Sequence, residues 1–328
     1  MKHIIFLIFV FSFFYGNDFD YKLKPIKLAE NSYYFYGKEE YFSKTNGGDI
    51  ANCSFIITKN SVILIDTGSS QQYGEQIKKE INKITDKPIK YVINTHHHPD
   101  HFLGNNAFMG SDIFSDKYTK DEIEKNGDLY IINLTNLVQS AMNNTKIKVP
   151  NQILTTQILD LDGYKLKVLY FYGHTKSDIA IYDENRKILY ASDLVFNKRT
   201  PSTPHANIQD WINSLNELEK IDYSILVSGH GLASTSKEPI KETISYLNYL
   251  EKTLKNSAKE GLDIYEILNK PIPKEFQDFT MFKEEFWNQL MDALEDLPES
   301  QREVFLLNEI EDFTLQEIAD QKGENLKT

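Results

Sequence analysis

Hydrophobic positions along the chain follow two rhythms, and each change of rhythm marks a change of element. Alternation and short apolar runs predict strands at 33–36, 53–58 and 62–65, the last two joined by a turn at Lys59-Asn60-Ser61. The chain therefore opens as a β-meander. After Asp66-Thr67-Gly68 the spacing becomes helical, with Tyr73, Ile77, Ile81 and Ile84 on one face. Strands at 91–93 and 112–114 follow, then polar helical material and an apolar helical stretch at 129–142. Two hairpins come next. Asp162-Gly163 joins strands at 158–161 and 165–172, because this dipeptide readily takes the positive φ of a tight turn. Asp183-Glu184-Asn185-Arg186 joins 179–182 to 188–190. An amphipathic helix through Ile208, Trp211, Ile212, Leu215 and Leu218, a strand at 225–227, and a helix through Ile240, Ile244, Leu247 and Leu254 complete the body. That order predicts an α/β protein, a four-layer αββα sandwich in preference to a doubly wound parallel sheet.

Composition and charge add two boundaries. Lys2 and His3 precede an apolar run at 4–15 that is short for a bilayer and has the form of a signal peptide. Export to a periplasm or beyond the cell is the expectation, with no stable membrane span unless the leader stays uncleaved. Gly16 marks the cleavage point, although Phe14 departs from the small-x-small pattern. At the other end, residues 284–328 carry thirteen Asp and Glu against Arg302, Lys322 and Lys327, a net of −10 out of −12 for the whole chain. The expected division is a leader at 1–16, a main domain at 17–280 and a small all-α appendage at 284–328. Such an acidic balance argues against nucleic acid as partner and leaves a small-molecule substrate. No feature sets an oligomeric state. Cys53 is the only cysteine, so no intramolecular disulfide forms, and its neighbours place it as a buried strand thiol.

The candidate chemistry starts in Thr95-His96-His97-His98-Pro99-Asp100-His101. His96, His98, Asp100 and His101 spell H-x-H-x-D-H, and imidazole nitrogens with a carboxylate suit a borderline ion such as zinc. Further ligands must come from elsewhere. His174 and His230 each follow a predicted strand in a glycine-flanked turn, where the backbone can bend sharply and aim the ring off the strand end. Asp193 also follows a strand, and a carboxylate there can offset the repulsion between two divalent ions. His97 is expected to pack. His205 is expected to hydrogen-bond near the site or to have no role, and Lys198 and Arg199 to be solvated loop charges or, at the mouth, to favour an anionic substrate.

The ordered set His96, His98, Asp100, His101, His174, Asp193 and His230, with the earlier Asp66, resembles the metallo-β-lactamase-fold metallohydrolases over residues 30–255. The resemblance implies His96, His98 and His174 on one zinc, Asp100, His101 and His230 on a second, Asp193 bridging, and Asp66 holding the ligand loop as a hydrogen-bond acceptor. Many β-lactamases of this fold have Cys where Asp193 stands, and flavodiiron proteins have Glu where His98 stands. The dinuclear hydrolase pattern shared with glyoxalase II-like thioesterases matches in full. Residues 39–52, with the leader, resemble the exported quinoprotein relay system zinc metallohydrolases. The implied cofactor is two Zn2+, with Fe or Mn as alternatives. The implied reaction is hydroxide attack on an ester, thioester or amide carbonyl, with Asp100 orienting the hydroxide and moving its proton. An iron-dependent persulfide dioxygenase on the same fold is the alternative.

The tail reads differently. Leu290, Met291, Leu294 and Leu297 mark one helix, Val304, Phe305, Leu307 and Ile310 a second, and Thr314 caps a third running to Ala319. Residues 293–323 resemble region 4 of sigma-70-type transcription initiation factors. The sequence stops where the recognition helix is expected to begin, so the tail is expected to be a truncated graft that contributes little to function. A DNA-binding transcription factor is accordingly the least favoured reading.

Overall fold

The computed structural model describes residues 18–262, 264–295, 313–314 and 317–319. The expected leader and the second helix of the tail lie outside these residues. In chain order the elements are β1 (Pro25–Ala29), β2 (Ser32–Phe35), β3 (Cys53–Ile57), β4 (Val62–Ile65), α1 (Gln71–Asn82), β5 (Ile89–Ile93), α2 (Pro99–Phe102), β6 (Asp112–Ser115) and α3 (Lys117–Val138). They continue with β7 (Gln152–Ile153), β8 (Ile158–Leu161), β9 (Tyr164–Phe171), β10 (Asp178–Asp183), β11 (Ile188–Phe196), α4 (Ile208–Glu219), β12 (Ile225–His230), α5 (Glu238–Glu260), α6 (Ile264–Leu268) and α7 (Phe282–Glu295).

Two sheets form. One runs β1-β2-β3-β4-β5-β6-β7, antiparallel through β4 and parallel from β4 to β7. The other runs β12-β11-β10-β9-β8, antiparallel except for the parallel β11–β12 pair. Strand alternation sends one set of side chains to each face. Ile56, Ile63, Ile65 and Ile93 of the first sheet meet Leu166, Val168, Ile179, Ile181 and Tyr190 of the second in one core. On the outer face of the first sheet, Phe55, Leu64 and Val92 pack against Tyr73, Ile77 and Ile81 of α1 and Ile123 and Leu134 of α3. Ala180, Leu189 and Ala191 on the outer face of the second meet Trp211 and Leu215 of α4 and Ile240 and Leu247 of α5. Helix, sheet, sheet and helix are thus stacked as the expected αββα sandwich.

Several boundaries differ from the sequence reading. α3 is one 22-residue helix where polar and apolar stretches suggested separate pieces; Gly127 lies inside it, tucked against Ile147. Strands β1 and β7 are additional. Cys53 is fully buried, as its neighbours suggested. The division expected at 284 falls inside α7, whose Phe282, Phe286 and Leu290 share a core with Tyr246, Leu250, Ile267, Phe276 and Phe279. In the tail, Thr314 Oγ1 accepts from Glu317 N at 3.2 Å and Glu317 Oε2 accepts from Thr314 N at 2.8 Å, a reciprocal capping box. No helix among the described residues is long and apolar enough to cross a membrane.

Candidate metal centre

The loop between β5 and α2 carries the histidine cluster to one edge of the sandwich, where the ends of β9, β11 and β12 meet it. Asp66 organises the loop. Sitting just after β4 with φ of 60°, it accepts from Thr95 N at 2.9 Å and Thr95 Oγ1 at 2.8 Å, and takes a 2.8 Å contact from His101 Nδ1. Pro99 occupies the first turn of α2, where its missing N–H costs nothing, and α2 turns Asp100 and His101 back toward His96 and His98. Gly173 places His174. Its φ of 131° and the Trp211 backbone only 2.2 Å from where a Cβ would stand leave room for glycine alone. In β11 the register with β12 shifts on both sides of Ser192, whose φ is 47°, and this irregularity presents Asp193 to the cluster.

All seven side chains converge. His96, His98, His174 and Asp193 form one group and Asp100, His101 and His230 another, with the ligand atoms in each group within 4.8 Å of one another. Asp193 lies between the groups. Its Oδ2 is 3.8 Å from His96 Nε2, 3.4 Å from His174 Nε2 and 3.2 Å from His230 Nε2, while its Oδ1 is 3.1 Å from His101 Nε2. Asp100 Oδ2 faces His101 Nε2 at 3.7 Å and His230 Nε2 at 3.6 Å.

Four of the five rings are anchored through the opposite nitrogen, which fixes their orientation, while His174 Nδ1 is buried without a hydrogen-bond partner. His101 Nδ1 donates to Asp66, His230 Nδ1 donates to Ile50 O at 2.8 Å, and His96 Nδ1 meets Thr95 Oγ1 at 3.1 Å. His98 turns Nδ1 inward, 2.9 Å from His174 Nε2, and sets its Nε2 2.9 Å from His205 Nδ1. His205 was therefore more than a bystander, and its partner lies 107 residues away.

The donor set fits a metal. Buried His96 Nε2, His101 Nε2 and Asp193 Oδ1 point into the cluster without a hydrogen-bond partner, an arrangement that is costly unless a cation completes it. Burial, aided by neighbouring imidazoles, holds His96 and His98 well below the ordinary histidine range and brings His174 down to about 3, so these rings are neutral and their lone pairs available. For His101, burial alone would do the same, but Asp193, Asp100 and Asp66 together raise it well above that range. Burial would raise the Asp193 carboxyl, yet His101 and His230 hold it well below its usual range.

Sequence reasoning missed three positioning groups. Asn52 donates through Nδ2 to Ser228 O at 2.8 Å and Gly231 O at 2.7 Å, tying the 37–52 loop to the turn that carries His230. Ser192 Oγ links Thr95 Oγ1 at 2.8 Å and Asp66 Oδ2 at 3.3 Å. Gly229 leaves space for Asp193, since a Cβ there would stand 1.8 Å from Asp193 Oδ1 and 2.7 Å from its backbone nitrogen. Gly229→Ala is therefore expected to push Asp193 aside and to weaken metal binding by about 10–100-fold, measured by competitive chelator titration. His97 is buried near Tyr118 and Tyr130, as packing would have it, although it also stands in a group with His98 and His205.

Beside the cluster lies a cavity of about 270 Å³ lined by Tyr41, Phe42, Ile50, Asp100, Tyr130, Asp193, Arg199 and His205 among others. A larger hollow of about 510 Å³ lies beyond Tyr41, between α6 and α7, and holds none of the clustered residues. Near the cavity, Asp49 is buried and accepts from Tyr73 OH at 3.0 Å. Burial raises its carboxyl from 3.8 to about 6. A raised folded-state value means stability that is present at low pH and lost as pH climbs from near 4 through about 6. Asp49→Asn is expected to abolish that slope, a difference of about 2 kcal/mol read by denaturant unfolding of both proteins at about pH 4 and about pH 7.

An αββα sandwich with a buried His/Asp cluster able to hold metal at one sheet edge defines the class of protein. The chain belongs to the metallo-beta-lactamase superfamily, whose family model matches residues 46–230, more than half its length. A sigma-70 region 4 model matches residues 287–328. The linear primary-alkylsulfatase of a Pseudomonas species is 21% identical over 268 residues, covering 69% of this chain and 51% of the relative, so the chain spans about half the length of that relative. A hydroxyacylglutathione hydrolase of Haemophilus influenzae is 24% identical over 199 residues, covering 56% of this chain and 87% of the relative. Among solved structures, the metallo-beta-lactamase from Pontibacter korlensis has a TM-score of 0.58 at 21% identity and covers 69% of this chain and 99% of its own. The enzyme from Hirschia baltica has a TM-score of 0.56 at 20% identity, covering 69% and 97%. These likenesses establish the shared fold.

Proposed function

We propose that the protein is an exported dinuclear zinc hydrolase that cleaves an ester, thioester or amide carbonyl. The observation that carries this reading is the position of Asp193, whose carboxylate reaches both ligand groups, Oδ2 lying within 4 Å of His96, His174 and His230 and Oδ1 within 4 Å of His101. His96, His98 and His174 would hold one ion, Asp100, His101 and His230 the other, with Asp193 shared. When bound, the pair of ions lowers the pKa of water toward neutrality and polarises the substrate carbonyl.

The chain's own residues do the rest. Asp66, Ile50 O and His205 keep the rings aimed so that little reorganisation is needed when substrate binds. Asp100, at the cavity wall, accepts the proton of the attacking water at a carboxylate oxygen and returns it to the leaving oxygen, sulfur or nitrogen as the acyl bond breaks. Export rests on the leader with Lys2, His3 and the apolar run at 4–15. The test is a panel of esters, thioesters and β-lactams with metal analysis of the purified protein. Zinc with hydrolysis supports the reading; iron with oxygen uptake on a persulfide, and no hydrolysis, replaces it with the dioxygenase.

A further inference from the structure

The catalytic cavity has one wall from outside the segment that matches the superfamily model. The loop after β11 is clamped by the segment leading into α7. Thr280 N donates to Lys198 O at 2.9 Å, Thr200 N donates to Thr280 O at 3.1 Å, and Gln289 Nε2 donates to Pro201 O at 2.7 Å. The clamp carries Glu285 to the cavity, opposite Arg199. Both are buried, at 2% and 3% exposure, and Arg199 Nη2 stands 3.8 Å from Glu285 Oε1. Arg199 is held on its other sides by Met281 Sδ, 3.2 Å from Nε, and by the Phe196 ring beneath its guanidinium. It is not the solvated loop charge suggested by its place beside Lys198, which is half exposed and paired with Glu242.

A lone buried guanidinium beside a metal centre would be a receptor for a substrate anion. Here the position opposite it is already taken by a carboxylate. An anion brought to Arg199 would have to sit against Glu285, or displace it and leave a buried charge uncompensated. Tyr41 belongs to the same group: Asn288 Nδ2 donates to its hydroxyl at 3.1 Å, and burial together with the Glu285 charge raises its phenol above the ordinary range. Away from the metal cluster the wall is largely apolar, with Phe42, Ile50, Tyr130 and Pro204, and Ser202 and His205 add polar groups.

We propose that Glu285, presented by α7, is a specificity-determining residue: by neutralising Arg199 it sets the cavity to take uncharged, apolar acyl groups and to reject substrates with an anion beside the scissile bond. The inference rests on the hydrolase reading above and makes the start of the tail part of the active-site wall.

The test uses the full, zinc-loaded chain and two esters of one leaving group, para-nitrophenyl butyrate and the mono-para-nitrophenyl ester of succinate. Binding of butyrate and of succinate is measured in parallel by calorimetry, which needs no turnover. The wild type is expected to favour the uncharged ester. Glu285→Gln should shift both the kcat/KM ratio and the binding ratio toward the succinyl compound by about tenfold or more, the scale of a partly desolvated charge contact. Arg199→Gln, which leaves the carboxylate unopposed, should shift both ratios the other way. A wild type that prefers the succinyl ester overturns the proposal. So does a Glu285→Gln protein that unfolds at the wild-type temperature with both ratios unmoved, and if that variant fails to fold, unmoved ratios in Arg199→Gln do the same. Cleavage of neither ester counts against the hydrolase reading, while the binding ratios still decide the role of Glu285.

Discussion

Asp193→Ala is expected to empty the centre and lower hydrolysis by about a thousandfold or more, the loss of several kcal/mol of charge stabilisation. The carboxylate is the only group within 4 Å of four inward-facing imidazole nitrogens among the described residues, at 3.1 to 3.8 Å. Without it the two ligand groups have no shared anion, and two divalent ions would repel across the gap. His230 would also lose its nearest carboxylate, at 3.2 Å, and keep only Asp100, at 3.6 Å. Elemental analysis after gel filtration, with rates on the best ester, reads both effects. A variant that retains full metal and full rate would remove Asp193 from the centre.

Asp66→Ala acts one layer out, and its largest effect is on stability. Asp66 is 1% exposed and serves Thr95 N, Thr95 Oγ1, His101 Nδ1 and Ser192 Oγ. Truncation strands those donors in the buried interior, at about 3–5 kcal/mol, the usual result of removing one partner from a buried charged network. It also frees His101 to rotate, for a further 10–100-fold or so in metal affinity. Denaturant unfolding and chelator competition separate the two losses. Asp66→Asn should recover part of the stability, because its amide oxygen still accepts from Thr95, and less of the metal affinity.

The layout of the sandwich was legible because it depends on local pattern. Alternation placed most strands within a residue or two, and Asp162-Gly163 marked the β8–β9 hairpin. The candidate ligands were legible for a related reason: His174 and His230 sit at strand ends beside glycines, so residue type and position carried the signal together. What escaped depends on contacts between distant parts of the chain. β1 starts with Pro25 and lies at a sheet edge, and β7 has two residues, so neither has a pattern to read. For His205 a hydrogen bond near the site was one of two readings, and only folding shows that its partner is His98. Arg199 looked like a loop charge, or a charge at the mouth, because Glu285 lies 86 positions further on, within a stretch whose acidity suggested a separate appendage. The apolar face of α7 was visible in sequence, but its partner surface was not.

On the proposed reading, this chain needs two bound ions to hydrolyse its substrate. The most direct measurement follows metal content and hydrolysis of the full chain through chelation and stepwise return of zinc. Two equivalents per chain, with activity lost on removal and regained as they rebind, is the expected result. Undiminished turnover by the metal-free chain would contradict it.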